Sequence, residues 1–357
     1  MIRVGVVGFG MAGRVFHCPL VSSVDGLELA AVVERSTNQA SGRYPGVAIY
    51  RTQAELLADA TIGLVVIATP SGTHYELARQ ALEAGKSVIV DKPTCTTSDE
   101  IAALMKLASE RHLQLIPFHN RRWDGDFLTM QKVIHEGSLG KLVSVESNFF
   151  RWRPLPRARV WKEKTSLGGG ALLDLGTHLM DQALTQWGRP EFVSAEVLRE
   201  REIGDPDEQA EDGFTIRLLY PKLTVTLGSN CLTTPTDLRF HLRGTKGNFW
   251  KWGVDPQESR LGQVVRIEPT EDLGKESSSA WGSLTLDVDG GLVTRPVESI
   301  TGDYRHYYRG VRDALLGHAS APVKAVDAWE VVRMLEAAQE SANQGCRIAC
   351  DWADEPV

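Results

Sequence analysis

Two reactive side chains stand four residues apart in Gly168-Gly169-Gly170-Ala171-Leu172-Leu173-Asp174-Leu175-Gly176-Thr177-His178. If this segment is helical, Asp174 and His178 are i and i+4 and lie one above the other on one face. A carboxylate beside an imidazole can orient the ring and hold it ready to accept a proton. A capping or surface pair is the competing explanation. The glycine run and the apolar neighbours favour a buried helix that faces the first part of the chain. A third group, Lys92, follows the apolar run 87–90 in Val90-Asp91-Lys92-Pro93. Ligands of an open α/β sheet lie at the carboxyl ends of its strands, so Lys92 can reach a substrate oxygen there. Taken singly, a lysine at a strand end is a surface charge.

A second constellation opens the chain. Gly8-Phe9-Gly10-Met11-Ala12-Gly13 directly follows the strand-like run 2–7 and precedes a helical stretch. In that context G-x-G-x-x-G is a dinucleotide fingerprint. Gly8 permits the tight turn, Gly10 lets the backbone approach a pyrophosphate, and Gly13 lets helix and strand pack closely. Met11 and Ala12 lie at the helix N-terminus, whose N–H groups favour phosphate. Glu34 ends the second strand, 21 residues past Gly13, where an acidic residue binds the ribose hydroxyls of NAD. Arg35 and Ser36 beside it suit the 2′-phosphate of NADP. The signals conflict; Glu34 tilts the balance to NAD and leaves both cofactors open. The tip Ala68-Thr69-Pro70-Ser71, with His74 just beyond, and the tip carrying Asp91 and Lys92 point into the same cleft.

These groups need a scaffold. Short apolar runs at 2–7, 29–33, 64–68, 87–90 and 113–117 read as buried parallel strands, with helices at 53–57, 74–84 and 98–111 between them. Such alternation predicts a doubly wound parallel sheet, a Rossmann domain over 1–121. Pro19 predicts a kink or early end in the first helix. Beyond 121 the rhythm changes. A helix at 126–136, a strand at 142–151, a basic aromatic loop at 151–164 and a helix from 168–170 through 187 come first. Period-two segments at 192–201, 214–220, 223–229 and 238–243 follow, then helices at 304–316 and 325–343. They predict a second α/β domain, 122–357, on a mainly antiparallel open sheet, with helix 325–343 packing back on the first domain. The acidic tract 202–212 reads as a solvated loop.

Composition sets the bounds. The chain has 357 residues, 42% hydrophobic and 24% charged, which suits two globular domains. Its 46 acidic against 39 basic residues, a net charge of −7, count against nucleic acid as a partner. The cysteines Cys18, Cys95, Cys231, Cys346 and Cys350 form no C-x-x-C, which predicts no metal site and suits a reducing cytoplasm. No signal-peptide pattern and no run of 18 apolar residues occurs, so neither secretion nor a membrane span is expected. Glycine is in excess, 33 residues, and six of them fall in the two clusters above.

Together, in order and at these separations, Gly8-x-Gly10-x-x-Gly13, Asp91-Lys92-Pro93 and Asp174-x-x-x-His178 resemble the glucose–fructose oxidoreductase/inositol dehydrogenase (Gfo/Idh/MocA) family. The family's usual tripeptide is Glu-Lys-Pro; Asp91 is a conservative departure that leaves the lysine in place. Further stretches are similar to the scyllo-inositol dehydrogenase branch: Phe118-His119-Asn120-Arg121-Arg122-Trp123-Asp124, Lys251-Trp252-Gly253-Val254-Asp255-Pro256-Gln257-Glu258 and Tyr304-Arg305-His306-Tyr307-Tyr308. In that branch the position of Glu34 is often small and polar, which goes with NADP.

The resemblance implies an NAD(P)-dependent dehydrogenase acting on a secondary hydroxyl of a cyclitol or sugar, by direct hydride transfer and without a metal. Lys92 would bind the reacting oxygen, His178 would exchange its proton, and Asp174 would orient the substrate or the imidazole. Asn120, Arg122 and Trp123 are expected in the polyol pocket, joined from the loop by Arg151, Arg153 and Trp161, with Tyr307 in the core. A homodimer or homotetramer through the outer face of the second sheet is expected. Two alternatives remain: a reductase of keto-sugars or other carbonyls, and a dinucleotide sensor that kept the fold without the chemistry.

Overall fold

Near-continuous Val/Ile/Leu runs build a six-stranded parallel sheet: β1 (Ile2–Val7), β2 (Leu27–Val33), β3 (Ala48–Tyr50), β4 (Leu64–Ile67), β5 (Ser87–Val90) and β6 (Leu115–Pro117). Its order is β3-β2-β1-β4-β5-β6. The computed structural model describes residues 1–156, 169–201, 209–235 and 238–356. All of β4 and β5 is buried, as helices on both faces require. The order reverses between β1 and β4, and the crevice outside their carboxyl ends is where such folds bind ligands.

The connecting helices are α1 (Cys18–Ser22), α2 (Gln39–Arg43), α3 (Gln53–Ala58), α4 (His74–Glu83) and α5 (Ser98–Glu110). A wide π-helical turn, Gly13–His17, leads into α1. Pro19 stands just after that turn, near the start of α1, and the helix ends three residues on at Ser22. Thr97 caps α5 by accepting from Glu100 N. The three-residue β3, in a short apolar stretch over 47–50, and the polar α2 are too short to mark themselves by period.

The second half holds α6 (Gly125–His135), β7 (Leu142–Phe150), α7 (Thr177–Trp187), β8 (Phe192–Leu198), β9 (Gly213–Tyr220), β10 (Leu223–Asn230), β11 (Leu238–Gly244) and β12 (Gly247–Trp252). Then come α8 (Gln257–Leu261), β13 (Gly282–Val288), β14 (Gly291–Val297), α9 (Arg305–Leu315), α10 (Ala325–Gln344) and β15 (Ile348–Ala349). The nine strands run β14-β13-β12-β11-β7-β10-β9-β8-β15. Within this sheet only the β7–β10 pair is parallel among the described strands.

Alternation places Val145, Phe149, Ile216, Leu218, Val225, Leu227, Phe240 and Leu242 in one core with Leu179 and Met180 of α7. The opposite face carries a stacked aromatic row, with His241 3.5 Å from Trp250 and Trp250 6.2 Å from Trp252. Helix α10 is apolar on two faces. Ala328, Trp329 and Val332 join the core of the first sheet, and Val331, Met334, Leu335 and Ala338 that of the second.

The acidic tract departs from the expected solvated loop. Asp212 is buried; it accepts from Arg201 Nε at 2.7 Å and from Glu200 N at 2.7 Å. Residues 202–208 lie outside the described ones. Among the described residues, no helix is long and apolar enough to cross a membrane, and no cluster of His, Cys, Asp and Glu could hold a metal.

Candidate functional site

The carboxyl ends of β1, β4 and β5, the segment after β6 and the start of α7 enclose a cleft of ≈ 250 Å³. Its glycine turn is built for close approach. Gly8 has φ +104°, and a Cβ there would stand 2.6 Å from Ala68 O. At Gly13 a Cβ would meet Gly8 O at 2.1 Å, whereas at Gly10 it would meet nothing within 4 Å. So Gly8 and Gly13 seat the helix on the strand, and Gly10 leaves open space over the helix N-terminus. Met11, Ala12, Thr69, Pro70 and Asp91 line the cleft with Gly10. A backbone cradle at a helix N-terminus, opened by a glycine, fits a dinucleotide pyrophosphate.

Across from that cradle, Lys92 Nζ lies 2.5 Å from Asp174 Oδ1 and also donates to the Asp174 main-chain oxygen. Asp174 thus holds the lysine, a pairing the i, i+4 spacing with His178 did not foretell. Asp174 belongs to a second π-helical turn, Leu172–Gly176, continuous with α7. Such wide turns recur at functional sites. Glu211 fixes where this helix begins: its main-chain oxygen accepts from Ala171 N at 3.0 Å and its Oε1 from Leu172 N at 3.1 Å. Gly170, at φ +117°, makes room, since a Cβ there would stand 2.1 Å from that carboxylate. Burial holds the Glu211 carboxyl above its ordinary pKa. Residue 168, the first of the three glycines, lies outside the described residues.

His178 is buried at the cleft wall, its ring edge-on to Phe149 at 6.4 Å. Asp91 accepts from Lys92 N at 2.7 Å and faces His17 Nε2 at 3.7 Å. Burial works to raise its pKa, but His17, His74 and Lys92 together hold it below the usual carboxylate value.

Four expected ligands sit elsewhere. His74 is a brace rather than a cofactor contact: its ring nitrogens lie 2.8 Å from Pro93 O and 2.8 Å from Thr69 O, tying the two tips together. Glu34 is 5% exposed and its carboxylate is turned inward onto the amides of Gln39 and Ala40, not outward as a ribose contact requires. Arg35 and Ser36 beside it are exposed. Arg122 points away from the cleft, gripping Asp181 (2.6–3.1 Å) and Asp327 (3.0 Å). Trp123 packs edge-on to buried Tyr307 at 5.7 Å.

Of the remaining candidates, Asn120 and Arg151 line the cleft and Arg153 does not. Arg153 lies on the β10 side, its N–H donating to Cys231 O at 2.7 Å. Trp161 lies outside the described residues.

Arg121 and Glu258, paired at 2.6 Å, line the cleft and were not singled out from the sequence. Residues 120–123 form a 3-10 turn, whose three residues per turn send consecutive side chains about 120° apart. Nothing in two successive arginines tells which one faces the cleft.

Arg122 therefore joins α7 to α10. Burial keeps nearby His119 below its ordinary pKa, so it offers Asp181 little charge in exchange. Arg122→Met is expected to cost about 3 kcal/mol by stranding a buried carboxylate, with Arg122→Met/Asp181→Leu regaining most of it. Urea titration of both variants checks this; a loss seen in KM alone would return Arg122 to the pocket.

Residues 2–119 match an oxidoreductase family described as an NAD-binding Rossmann fold, and residues 131–349 match the C-terminal alpha/beta domain of the same Gfo/Idh/MocA oxidoreductases. Over 342 residues the chain is 38% identical to the uncharacterized oxidoreductase YdgJ of Escherichia coli, covering 96% of each. It is 34% identical over 343 residues to the scyllo-inositol 2-dehydrogenase (NADP(+)) IolW of Bacillus subtilis, covering 96% of this chain and 94% of that one. The YPO2259 oxidoreductase structure from Yersinia pestis superposes with a TM-score of 0.91 at 38% identity, covering 99% of this chain and 98% of the other.

Proposed function

The chain belongs to the Gfo/Idh/MocA oxidoreductase family and is a dehydrogenase of CH–OH groups that uses NAD(P); on that premise we propose that it oxidises a secondary hydroxyl of a cyclitol or sugar, reversibly, with NADP. The observation that carries this is the Lys92–Asp174 pair and His178 on one wall of the cleft, facing the glycine cradle. When bound, the dinucleotide supplies the hydride acceptor, or the donor in reverse. Gly8, Gly10 and Gly13 shape its seat, with Met11, Ala12, Thr69 and Pro70 along it.

Lys92 donates to the substrate hydroxyl oxygen and offsets the negative charge that grows there. Asp174 keeps the ammonium in place. His178 takes the hydroxyl proton during oxidation and returns it to the carbonyl oxygen during reduction. Asn120, Arg121 and Arg151 offer donors to the remaining hydroxyls, and Glu258 an acceptor. NADP is favoured because Glu34 is spent on internal amides while Arg35 and Ser36 are exposed. The name of the IolW relative agrees with that choice. The setting that suits five unpaired cysteines is the cytoplasm.

A panel of inositol stereoisomers and aldoses, assayed at 340 nm with both dinucleotides, tests this. At least one cyclitol or sugar should be oxidised, with kcat/KM for NADP at least about tenfold above that for NAD, about 1.4 kcal/mol. No turnover with either cofactor across the panel would sink the substrate class, and a ratio at or below one would sink NADP. The aromatic row on the outer sheet face is the proposed self-association surface; light scattering at the mass of one chain would refute it.

A further inference from the structure

The loop that follows β2, residues 34–38, is braced from two sides. On one side the buried Glu34 turns its carboxylate into the protein. Its Oε1 accepts from Ala40 N at 2.7 Å, and its Oε2 from Gln39 N at 3.1 Å and from the Thr37 hydroxyl. On the other, Arg51, just past β3, donates from Nη1 to Glu34 O at 2.9 Å and Thr37 O at 2.5 Å, and from Nη2 to Asn38 Oδ1 at 2.7 Å. The two residues these bonds leave outward are Arg35 and Ser36, both exposed. Among the described residues, no hydrogen bond or ion pair engages the Arg35 guanidinium.

We infer that Glu34 and Arg51 are positioning residues for the 2′-phosphate of NADP: together they set the loop so that Arg35 and Ser36 meet the phosphate. The inference rests on the NADP assignment above and goes beyond it, because it reverses the sign expected for Glu34. A carboxylate at the end of the second strand ordinarily selects NAD by accepting the ribose hydroxyls and repelling phosphate. Here three of its roughly four lone-pair sites are committed to one hydroxyl and two amides, and the group is buried, so its acceptors are turned away from a ribose. Its negative charge is met by those donors, while Arg51, from past β3, holds its main-chain oxygen. Ordering the loop in advance spares the phosphate the entropy of gathering it. Arg51 also brings a second positive charge to the tip, and its planar fork reaches three acceptors from two nitrogens held in a fixed geometry, which the single nitrogen of a lysine does not reproduce.

Isothermal titration of the full chain with adenosine 2′,5′-bisphosphate and with 5′-AMP separates the terms without any turnover. The wild type is expected to bind the bisphosphate at least about tenfold tighter than AMP. Glu34→Ala and Arg51→Lys should each lower bisphosphate affinity about tenfold and leave AMP within about twofold. Glu34→Gln, which keeps one acceptor oxygen, should fall between. Thermal melts establish that each variant is folded. Should Glu34→Ala not fold, Arg51→Lys and Thr37→Val, which loosen the brace without removing the buried carboxylate, decide instead. A folded Glu34→Ala that binds the bisphosphate as well as the wild type or better would overturn the brace. So would an unchanged affinity in Arg51→Lys. Equal wild-type affinities for the two nucleotides would instead remove the NADP assignment, a failure separate from that of the brace.

Discussion

Lys92→Met should lower kcat by about 10³-fold or more, while the dissociation constant for the dinucleotide stays within about threefold. The lysine lies 2.5 Å from Asp174 Oδ1, so its charge is held at the part of the cleft that Asp174 and His178 line. Methionine keeps the stem and removes the donor to the oxygen that becomes alkoxide. Electrostatic stabilisation of that kind is commonly worth 10²–10³ in rate, and here the proton transfer to His178 fails with it. His178→Asn should by itself cost about 10²–10⁴, the range of general acid–base catalysis. Asp174→Asn should cost less than either, because it loosens the lysine without deleting it. Stopped-flow single turnovers and fluorescence titration of the reduced dinucleotide separate chemistry from binding. Near wild-type kcat in Lys92→Met or His178→Asn would refute the assigned proton path. A parallel collapse of cofactor affinity would move Lys92 into the cofactor seat.

Gly13→Ala should abolish measurable dinucleotide binding and lower stability by about 2–3 kcal/mol, the scale of overpacking in a core. One methyl group is decisive because an added Cβ would stand 2.1 Å from Gly8 O, main-chain atoms that no rotamer change can move. To make room, the π turn Gly13–His17 must lift off β1, and the phosphate seat lifts with it. A drop in Tm of roughly 3–4 °C should accompany the loss. Gly10→Ala is the matched control, since its Cβ would meet nothing within 4 Å of the protein. It should leave Tm unchanged and weaken dinucleotide binding alone. If Gly13→Ala kept wild-type affinity and Tm, the close packing of helix on strand would not be what the glycine serves.

Much of this fold was legible before any coordinates. The buried runs of β1, β4 and β5 carry their assignment in composition, and the alternating segments after residue 190 carry theirs in period. What escaped was short or polar: β3, α2, and the end of the acidic tract, where half-buried Glu211 caps the α7 segment and buried Asp212 pairs with Arg201. Those residues look solvated in sequence because their partners are far along the chain or in backbone amides. At the site the same division holds. The glycines, Lys92, Asp174 and His178 meet at one cleft, while His74, Glu34, Arg122 and Trp123 were expected as ligands and serve as braces or packing.

The sequence by itself determined the requirements that are local. A turn needing positive φ at Gly8, a helix seated on a strand at Gly13, and a strand buried on both faces each leave a mark within a few residues, because backbone sterics and periodicity act over that range. Only the tertiary structure decided where each charged side chain points. A carboxylate such as Glu34 can face water, a ribose or internal amides, and a guanidinium such as Arg122 can meet a substrate or Asp181 and Asp327. Which partner wins depends on groups up to 205 positions away, brought near by packing. The glycine pattern therefore announced a dinucleotide, and the turned-in Glu34 is the ground on which NADP is proposed over NAD.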